Sequence, residues 1–158
     1  MCRMEWRSAV QIKSQQRIKT LVPRLQPIAE EFIRRANDEA DKIWTLPRNV
    51  EVVVSQALRD ELYQMGLYTI GRTFNRDTGL WTERAGEIVT KAPPSKSKHC
   101  RGEAFDIAVI EDGTKLLSLN PAVEEFRRVW LRFAAIGKEL GLNPGAFWPH
   151  PDYPHYEI

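Results

Sequence analysis

The feature that most constrains this chain is the placement of its histidines. The stretch from Ser97 to Asp106 pairs the imidazole of His99 with the carboxylate of Asp106 across six intervening residues. The stretch 152–157 adds His155 and two more carboxylates. Two histidines and one carboxylate around an open position are a common catalytic zinc set, and a spare carboxylate could act as general base. Spacing alone leaves a second interpretation open, in which His99 is a core residue satisfied by backbone and the C-terminus is a solvated tail.

Composition limits the class of protein. The 158 residues suit one domain with a real hydrophobic core, and the 42% hydrophobic and 28% charged content is ordinary for a globular chain. A net charge of +2 makes no strong case for nucleic acid. Cys2 lies at the extreme terminus and Cys100 beside a candidate metal ligand. Because neither is a good disulfide candidate, we expect a reduced, intracellular site of synthesis.

No targeting or membrane segment is expected. No apolar run approaches the roughly 20 residues that a membrane span requires. Lys13, Arg17 and Lys19 interrupt any apolar stretch near the start, so no secretory signal peptide is expected. We therefore expect synthesis in the cytoplasm and, for a substrate outside the membrane, release by another protein.

The first 25 residues carry seven charges, of which six are basic. This pattern predicts a solvated or partly ordered basic arm over residues 1–25, followed by one folded domain over residues 26–158. A nucleic-acid-binding role is not expected for the arm, because the charges are not interleaved with a series of aromatic residues and no binding motif accompanies them.

Periodicity and turn signals predict an α+β fold, a small single domain with a short antiparallel sheet and flanking helices. The predicted elements are a helix over 27–44, a strand over 50–55, a helix over 60–70, a strand over 104–110, a helix capped by Asn120 with Pro121 at its first position and ending near Gly141, and an extended segment over 148–158. Residues 73–98 read as a long surface loop, which is unusual unless it borders a site. Trp81 in this loop could line a cleft or be pinned to the surface.

Three blocks carry a resemblance to a known family. They are Ala57-Leu58-Arg59 with Gln64, Leu67-Tyr68 and Gly71-Arg72-Thr73; Ser97-x-His99-x-x-Gly102-x-Ala104-x-Asp106; and Trp148 followed by Asp152-Tyr153-Pro154-His155-Tyr156-Glu157. In this order they resemble the zinc D-Ala-D-Ala carboxypeptidases and L-alanoyl-D-glutamate peptidases of peptidoglycan, especially the bacteriophage endolysin-type members. The resemblance covers roughly residues 45–158, but the Gly and Tyr that the family has before Arg59 are absent here.

The resemblance implies a role for each matched residue. His99, Asp106 and His155 would bind Zn²⁺, and the domain would be a zinc peptidase. Asp152 would be the base; many family members have Glu at this place, and Asp points to the endolysin-type members. Arg59 would stabilise the oxyanion. The residues expected to contact substrate or support the site are Ser97, Gln64 and Glu157.

Other assignments stay open on the residues alone. His150 could replace His155 as the third ligand, although it falls outside the matching motif. Cys100 could bind zinc because thiolates are soft ligands, but on an extended segment it would point away from His99. Glu157 could be the base instead of Asp152, since side chains two residues apart on a strand share a face.

The implied function is zinc-dependent hydrolysis of a peptidoglycan stem peptide, most simply as an L-alanoyl-D-glutamate endopeptidase. The alternatives are a D-Ala-D-Ala carboxypeptidase or dipeptidase, and a non-catalytic, zinc-stabilised wall-binding domain. The expected setting is a phage or prophage lysis cassette, with the protein acting on the cell wall as a monomer after release.

Overall fold

The computed structural model describes residues 8–45 and 47–158. Its α-helices are α1 (Ala9–Ile18), α2 (Gln26–Ile43), α3 (Glu61–Thr69) and α4 (Glu124–Glu139). Its strands are β1 (Val50–Gln56), β2 (Arg72–Asn75), β3 (Leu80–Glu83), β4 (Ala104–Glu111), β5 (Lys115–Leu116), β6 (Asn143–Pro144) and β7 (His155–Glu157). This architecture confirms the predicted α+β fold with an antiparallel sheet.

The main sheet has the order β1-β4-β7-β6, and β5 pairs with the far end of β4. Every pairing in it is antiparallel. Along β4 the buried residues Phe105, Ile107 and Val109 belong to the hydrophobic core, while Asp106 and Ala108 between them are only half-buried. The alternation of strand side chains therefore separates a core face from an open face.

The core lies where helices cover the first of these faces. The ring of Phe32 in α2 lies 5.7 Å from that of Phe105 and 4.5 Å from that of Tyr156, measured between centroids. Gly137 lets α4 approach closely, because a Cβ there would come within 2.7 Å of the Tyr156 ring. The packing below β7 thus fixes which of its side chains point away from the core.

The N-terminal helix α1 packs along the outer edge of β1. Ser14 in α1 accepts a hydrogen bond from the Val54 N–H at 2.8 Å, and Arg17 donates to the Val54 carbonyl at 3.0 Å. Asn37 in α2 accepts from the Val52 N–H at 2.9 Å. These bonds satisfy backbone groups that an unpaired edge strand would leave open to other chains.

Three apolar residues between positions 18 and 25 also belong to the core. Ile18, Leu21 and Leu25 are 2%, 3% and 0% exposed. The basic residues of this segment therefore lie on a backbone that packs against the domain. The number of charges did not indicate this packing, because the apolar residues lie between basic ones in the sequence. Residues 1–7 of the predicted arm lie outside the described residues, as does Leu46 after α2.

The predicted loop over 73–98 contains a β-hairpin. Strands β2 and β3 pair Phe74 with Trp81, whose ring centroids lie 5.1 Å apart, and Tyr68 meets Trp81 edge-on at 6.0 Å. Such cross-strand aromatic contacts stabilise a pair of strands. The polar composition of the segment had indicated a loop instead. Trp81 packs in this cluster at the surface.

The start of α4 also differs from the prediction. The Asn120 side chain accepts a hydrogen bond from the Ala122 N–H at 3.0 Å. This local turn competes with helix formation, so α4 begins at Glu124 instead of Pro121. Among the described residues, no helix combines the length and the apolar character needed to cross a membrane.

The packing of residues 18–25 predicts the outcome of a truncation in the core. Leu25→Ala should lower the free energy of unfolding by about 2–5 kcal/mol, because it empties a fully buried site. Urea denaturation followed by circular dichroism measures the loss. Ile12→Ala on the same N-terminal segment is the control: Ile12 is 46% exposed, so its loss should cost only about 0.5 kcal/mol. Equal and small effects of both substitutions would mean that this segment does not pack on the domain.

Candidate metal centre

Adjacent strands bring the first two predicted ligands together. Asp106 on β4 and His155 on β7 are direct register partners, as are Phe105 and Tyr156 beside them. Because Phe105 and Tyr156 enter the core, alternation points Asp106 and His155 to the open face. There Asp106 Oδ1 lies 3.2 Å from His155 Nδ1.

The third residue, His99, comes from a short 3₁₀ turn over His99–Arg101. Gly102 ends this turn in the left-handed region with φ of 69°, which glycine adopts without strain. A Cβ at Gly102 would also press to 3.3 Å from the Thr20 carbonyl oxygen. The His99 carbonyl accepts from the Arg59 N–H at 3.1 Å, so this turn is held between the segment after α1 and the end of β1.

The three side chains form a nearly equilateral triangle of ligand atoms. His99 Nε2 lies 3.2 Å from Asp106 Oδ1 and 3.3 Å from His155 Nδ1, and the third side is 3.2 Å. An ion bound tetrahedrally at about 2.0–2.1 Å holds its ligand atoms about 3.3–3.4 Å apart. The triangle therefore fits three ligands of one tetrahedral metal ion, with the fourth position left for solvent or substrate.

Hydrogen bonds at the far side of each ring orient its lone pair toward this triangle. His99 Nδ1 donates to the Ala57 carbonyl oxygen at 2.8 Å, which can only accept. His155 Nε2 lies 3.0 Å from Glu157 Oε2. In neutral imidazoles these contacts leave Nε2 of His99 and Nδ1 of His155 without a proton. Two nitrogen lone pairs and a carboxylate oxygen then face one point, an arrangement that a cation stabilises.

The electrostatics of the group show the same need for positive charge. Burial alone would raise the pKa of Asp106, but the hydrogen bonds and charges of His155 and His99 hold it well below its usual range. Burial alone would lower the pKa of His155, but hydrogen bonds with Asp106 and Glu157 and the charge of Asp152 outweigh it and raise the pKa to about 9. A proton on His155 thus takes the place that a metal ion would otherwise fill.

Arg59 reaches the same place from the segment that follows β1. Its Nη1 donates to Gln64 Oε1 at 2.7 Å and its Nη2 donates to Gln56 Oε1. The Nη2 atom also lies 3.5 Å from Asp106 Oδ2. The two glutamines hold the guanidinium in one orientation beside the Asp106 carboxylate.

A further carboxylate of the site, that of Asp152, is placed by a tight loop. Its N–H donates to the Gly145 carbonyl at 2.9 Å, and its own carbonyl accepts from the His155 N–H at 3.2 Å. A Cβ on Gly145 would come within 2.3 Å of the Asp152 carbonyl oxygen, so only glycine allows this closure. Asp152 is exposed to the cleft; partial desolvation of its carboxyl raises its pKa, Asp106 adds to this and His155 opposes it.

These residues lie in one open cleft of about 590 Å³. One wall is formed by α3, a second by the segment 89–98, and the third by residues 148–152. Ser97, which is 4% exposed, lies at its base, and the Trp148 ring lies 5.0 Å from the His155 ring between centroids. The cleft brings together all eight predicted site residues: Arg59, Gln64, Ser97, His99, Asp106, Asp152, His155 and Glu157.

Comparison with known proteins assigns the chain to a family. The profile of a family described as D-alanyl-D-alanine carboxypeptidase matches residues 90–158. The peptidoglycan L-alanyl-D-glutamate endopeptidase CwlK of Bacillus subtilis (strain 168) is 30% identical over 129 residues, which cover 80% of this chain and 71% of that protein. The chain belongs to the D-alanyl-D-alanine carboxypeptidase family of metallopeptidases. This membership confirms the resemblance drawn from the three sequence blocks.

A solved structure shares the fold of this chain. The crystal structure of the L-Ala D-Glu endopeptidase ChiX from Serratia marcescens matches with a TM-score of 0.56 and 16% identity, covering 96% of this chain and 87% of that chain. At this level of identity the match shows a shared fold.

The structure gives the positions of His150 and Cys100, the two alternative ligands. Within the described residues, the group able to hold a metal consists of His99, Asp106 and His155. His150 is exposed at the rim of the cleft. Cys100 is a half-buried free thiol on the 3₁₀ turn instead of an extended segment as predicted, and it does not belong to the group that could hold a metal.

Sequence reasoning missed the groups that orient the site. The Ala57 carbonyl and the Gln56 side chain contact His99 and Arg59, yet a backbone oxygen and an ordinary glutamine leave no motif. Lys91 and Lys96 on the cleft wall were also missed. Their signal was the basic run Lys91–Lys98 without any acidic residue.

Metal binding should depend on pH because His155 must lose its proton. With a pKa raised to about 9, His155 is protonated at neutral pH, and a metal ion must displace that proton. The apparent affinity for Zn²⁺ should therefore fall about tenfold per unit between about pH 8.5 and pH 7. Competition with a chromophoric chelator measures it. His150→Ala should show the same slope, and a flat profile in the parent protein would contradict the assignment of His155 as a ligand.

Proposed function

We propose that this protein is a zinc-dependent peptidoglycan peptidase that hydrolyses the bond between L-alanine and D-glutamate in the stem peptide. The observation that carries the proposal is the triangle of His99, Asp106 and His155 with Asp152 exposed in the same cleft. The name of the relative CwlK supports the choice of bond.

The donor set supports zinc. Two imidazole nitrogens and one carboxylate oxygen with an open fourth position are a ligand set of catalytic zinc. When bound, Zn²⁺ supplies Lewis acidity, which lowers the pKa of water to about 7 and polarises a carbonyl group. His99, Asp106 and His155 would hold it, and the Ala57 carbonyl and Glu157 keep both rings oriented toward it.

Asp152 is the proposed general base. It is exposed to the cleft and does not belong to the metal-binding group. It would accept the proton of the attacking water and deliver it to the leaving amine nitrogen. A carboxyl whose pKa is raised by desolvation is a stronger base than an ordinary aspartate.

Arg59 is the proposed partner of the negative oxygen that develops on the scissile carbonyl. Its guanidinium side chain is 14% exposed and already oriented by Gln56 and Gln64. A fixed cation in such a site stabilises a transition state by about 3 kcal/mol. Little reorganisation is needed when the charge forms.

The remaining predicted residues take supporting or substrate-binding roles in this proposal. Gln64 is 0% exposed and bridges Arg59 and the Ala92 carbonyl, which suits a positioning residue. Glu157 orients His155 through its hydrogen bond at 3.0 Å. Ser97 lies in the lining of the cleft and is the candidate for a direct contact with substrate.

Replacing Asp152 tests the assignment of the base. Asp152→Asn should lower kcat by about 100- to 10,000-fold, while zinc content and thermal stability stay near those of the parent, since the ligands are untouched. Release of soluble fragments from purified sacculi measures the rate. Asp77→Asn in the turn between β2 and β3 removes a carboxylate outside the cleft and should leave the rate unchanged. A fully active Asp152→Asn variant would refute the assignment and direct attention to Glu157.

A D-alanyl-D-alanine carboxypeptidase is the second candidate, because the description of the matching family names that activity. Both activities use the same metal site and differ in the bond presented to it. We predict that defined disaccharide pentapeptides are cut after L-alanine, as measured by mass spectrometry of the products. Release of terminal D-alanine with the L-alanyl bond intact would establish the carboxypeptidase instead. Metal binding without any hydrolysis would favour a wall-binding domain.

We further propose an endolysin-type role in which a monomer degrades the bacterial wall. This part of the proposal rests on the endolysin-type resemblance, in which aspartate instead of glutamate occupies position 152. Clearing of living or permeabilised bacteria by added protein would support it. Size-exclusion chromatography with light scattering tests the monomer.

A further inference from the structure

The segment 89–98 forms a cationic wall beside the metal-binding group. It carries three lysines and no acidic residue, and all three lysines line the cleft. Lys98 is already engaged, with its Nζ 3.6 Å from Glu103 and donating to the Ile158 carbonyl at 2.6 Å. Within residues 8–45 and 47–158, by contrast, neither Lys91 nor Lys96 forms an ion pair, and both are exposed. Two positive charges thus face the cleft without a partner.

Buried polar side chains hold this wall in position. Gln64, 0% exposed, donates to the Ala92 carbonyl at 2.7 Å, and the buried Arg72 donates to the Thr90 carbonyl at 2.8 Å. These two bonds anchor the backbone on either side of Lys91. The same Gln64 accepts from Arg59, so one residue connects the cationic wall to the candidate catalytic arginine.

The backbone of Lys96 is held by a short 3₁₀ turn. Lys96 ends the 3₁₀ turn Pro94–Lys96, and its N–H donates to the Pro93 carbonyl at 2.9 Å. Two consecutive prolines restrict the backbone that leads into this turn. Both lysines therefore rise from backbone that is ordered before any ligand arrives, which reduces the entropy lost on binding.

The charges in the base of the cleft do not neutralise these lysines. The carboxylates that line the cleft are Asp106, Asp152 and Glu157. Arg59 and a bound divalent ion would together balance their three negative charges. The charge of Lys91 and Lys96 is then left over, and it would attract an anionic group on the substrate.

We propose that Lys91 and Lys96 form a subsite for a carboxylate of the stem peptide and make the enzyme prefer free acids over amidated peptides. This inference rests on the proposed function. D-Glutamate linked through its side chain carries a free α-carboxylate next to the scissile amide, and the third residue can carry another. Amidation of either group removes one negative charge but barely changes the shape. Lysine, a point charge without directional geometry, distinguishes such pairs by charge.

Matched peptides and charge variants test the subsite. The substrates share one sequence and carry an acid or an amide at the D-glutamate α-carboxyl, or at the side chain of the third residue. The parent should show kcat/KM about tenfold higher for the preferred acid, the effect expected of two partly exposed charge contacts, and added salt should reduce this preference. In K91Q/K96Q the kcat/KM for the acid divided by that for the amide should fall to a value between about 1 and about 3. The peptide pair whose ratio collapses identifies the carboxylate.

The control variant carries the same change in net charge. K13Q/K19Q removes two exposed lysines of the N-terminal segment that do not line the cleft, and its ratio should equal that of the parent. The subsite is refuted if the parent and K91Q/K96Q have the same ratio, or if K13Q/K19Q lowers it equally.

A binding measurement separates this proposal from the proposed function. Calorimetry of the metal-loaded protein with the acid and amide forms of the product peptide gives a ratio of Kd values that does not depend on hydrolysis. If no peptide is cut but the acid binds about tenfold tighter and the preference disappears in K91Q/K96Q, the function fails and the subsite stands. If the peptides are cut but both forms bind equally in parent and variant, the subsite fails alone.

Discussion

The site depends on two hydrogen bonds that determine where the lone pairs of its histidines point. The Ala57 carbonyl accepts a hydrogen bond from the Nδ1–H of His99, and Glu157 accepts one from the Nε2–H of His155. Each ring then presents its other nitrogen to Asp106. Without these partners either ring could turn or change tautomer. The triangle of three ligand atoms about 3.3 Å apart would then be lost.

The fold provides these partners through strand pairing and packing under the sheet. Phe105 and Tyr156 are locked in the core against Phe32, which forces Asp106 and His155 to the other face. His99 stands on a turn that leans on the backbone after α1, where the Val22 N–H donates to the Gly102 carbonyl at 2.9 Å. The segment after α1 thus contacts the turn that carries His99.

Sequence reasoning worked where a short pattern determines geometry. Asp106 lies on a strand that the sequence predicted, and His155 lies in the predicted C-terminal extended segment. The 3₁₀ turn that carries His99 was not predicted. Sequence reasoning did not work where a tertiary contact overrides local composition. The polar residues between Arg72 and Glu83 disguised a hairpin that depends on the contact of Phe74 with Trp81. The cations of α1 likewise concealed a helix whose Ser14 caps the edge of β1.

The most direct test of the account is anomalous diffraction at the zinc absorption edge from a crystal of the protein grown with stoichiometric Zn²⁺. The account predicts one strong peak about 2.0–2.1 Å from His99 Nε2, His155 Nδ1 and an Asp106 oxygen. A peak coordinated by His150 or Cys100 instead, or no peak between positions 99, 106 and 155, would contradict it.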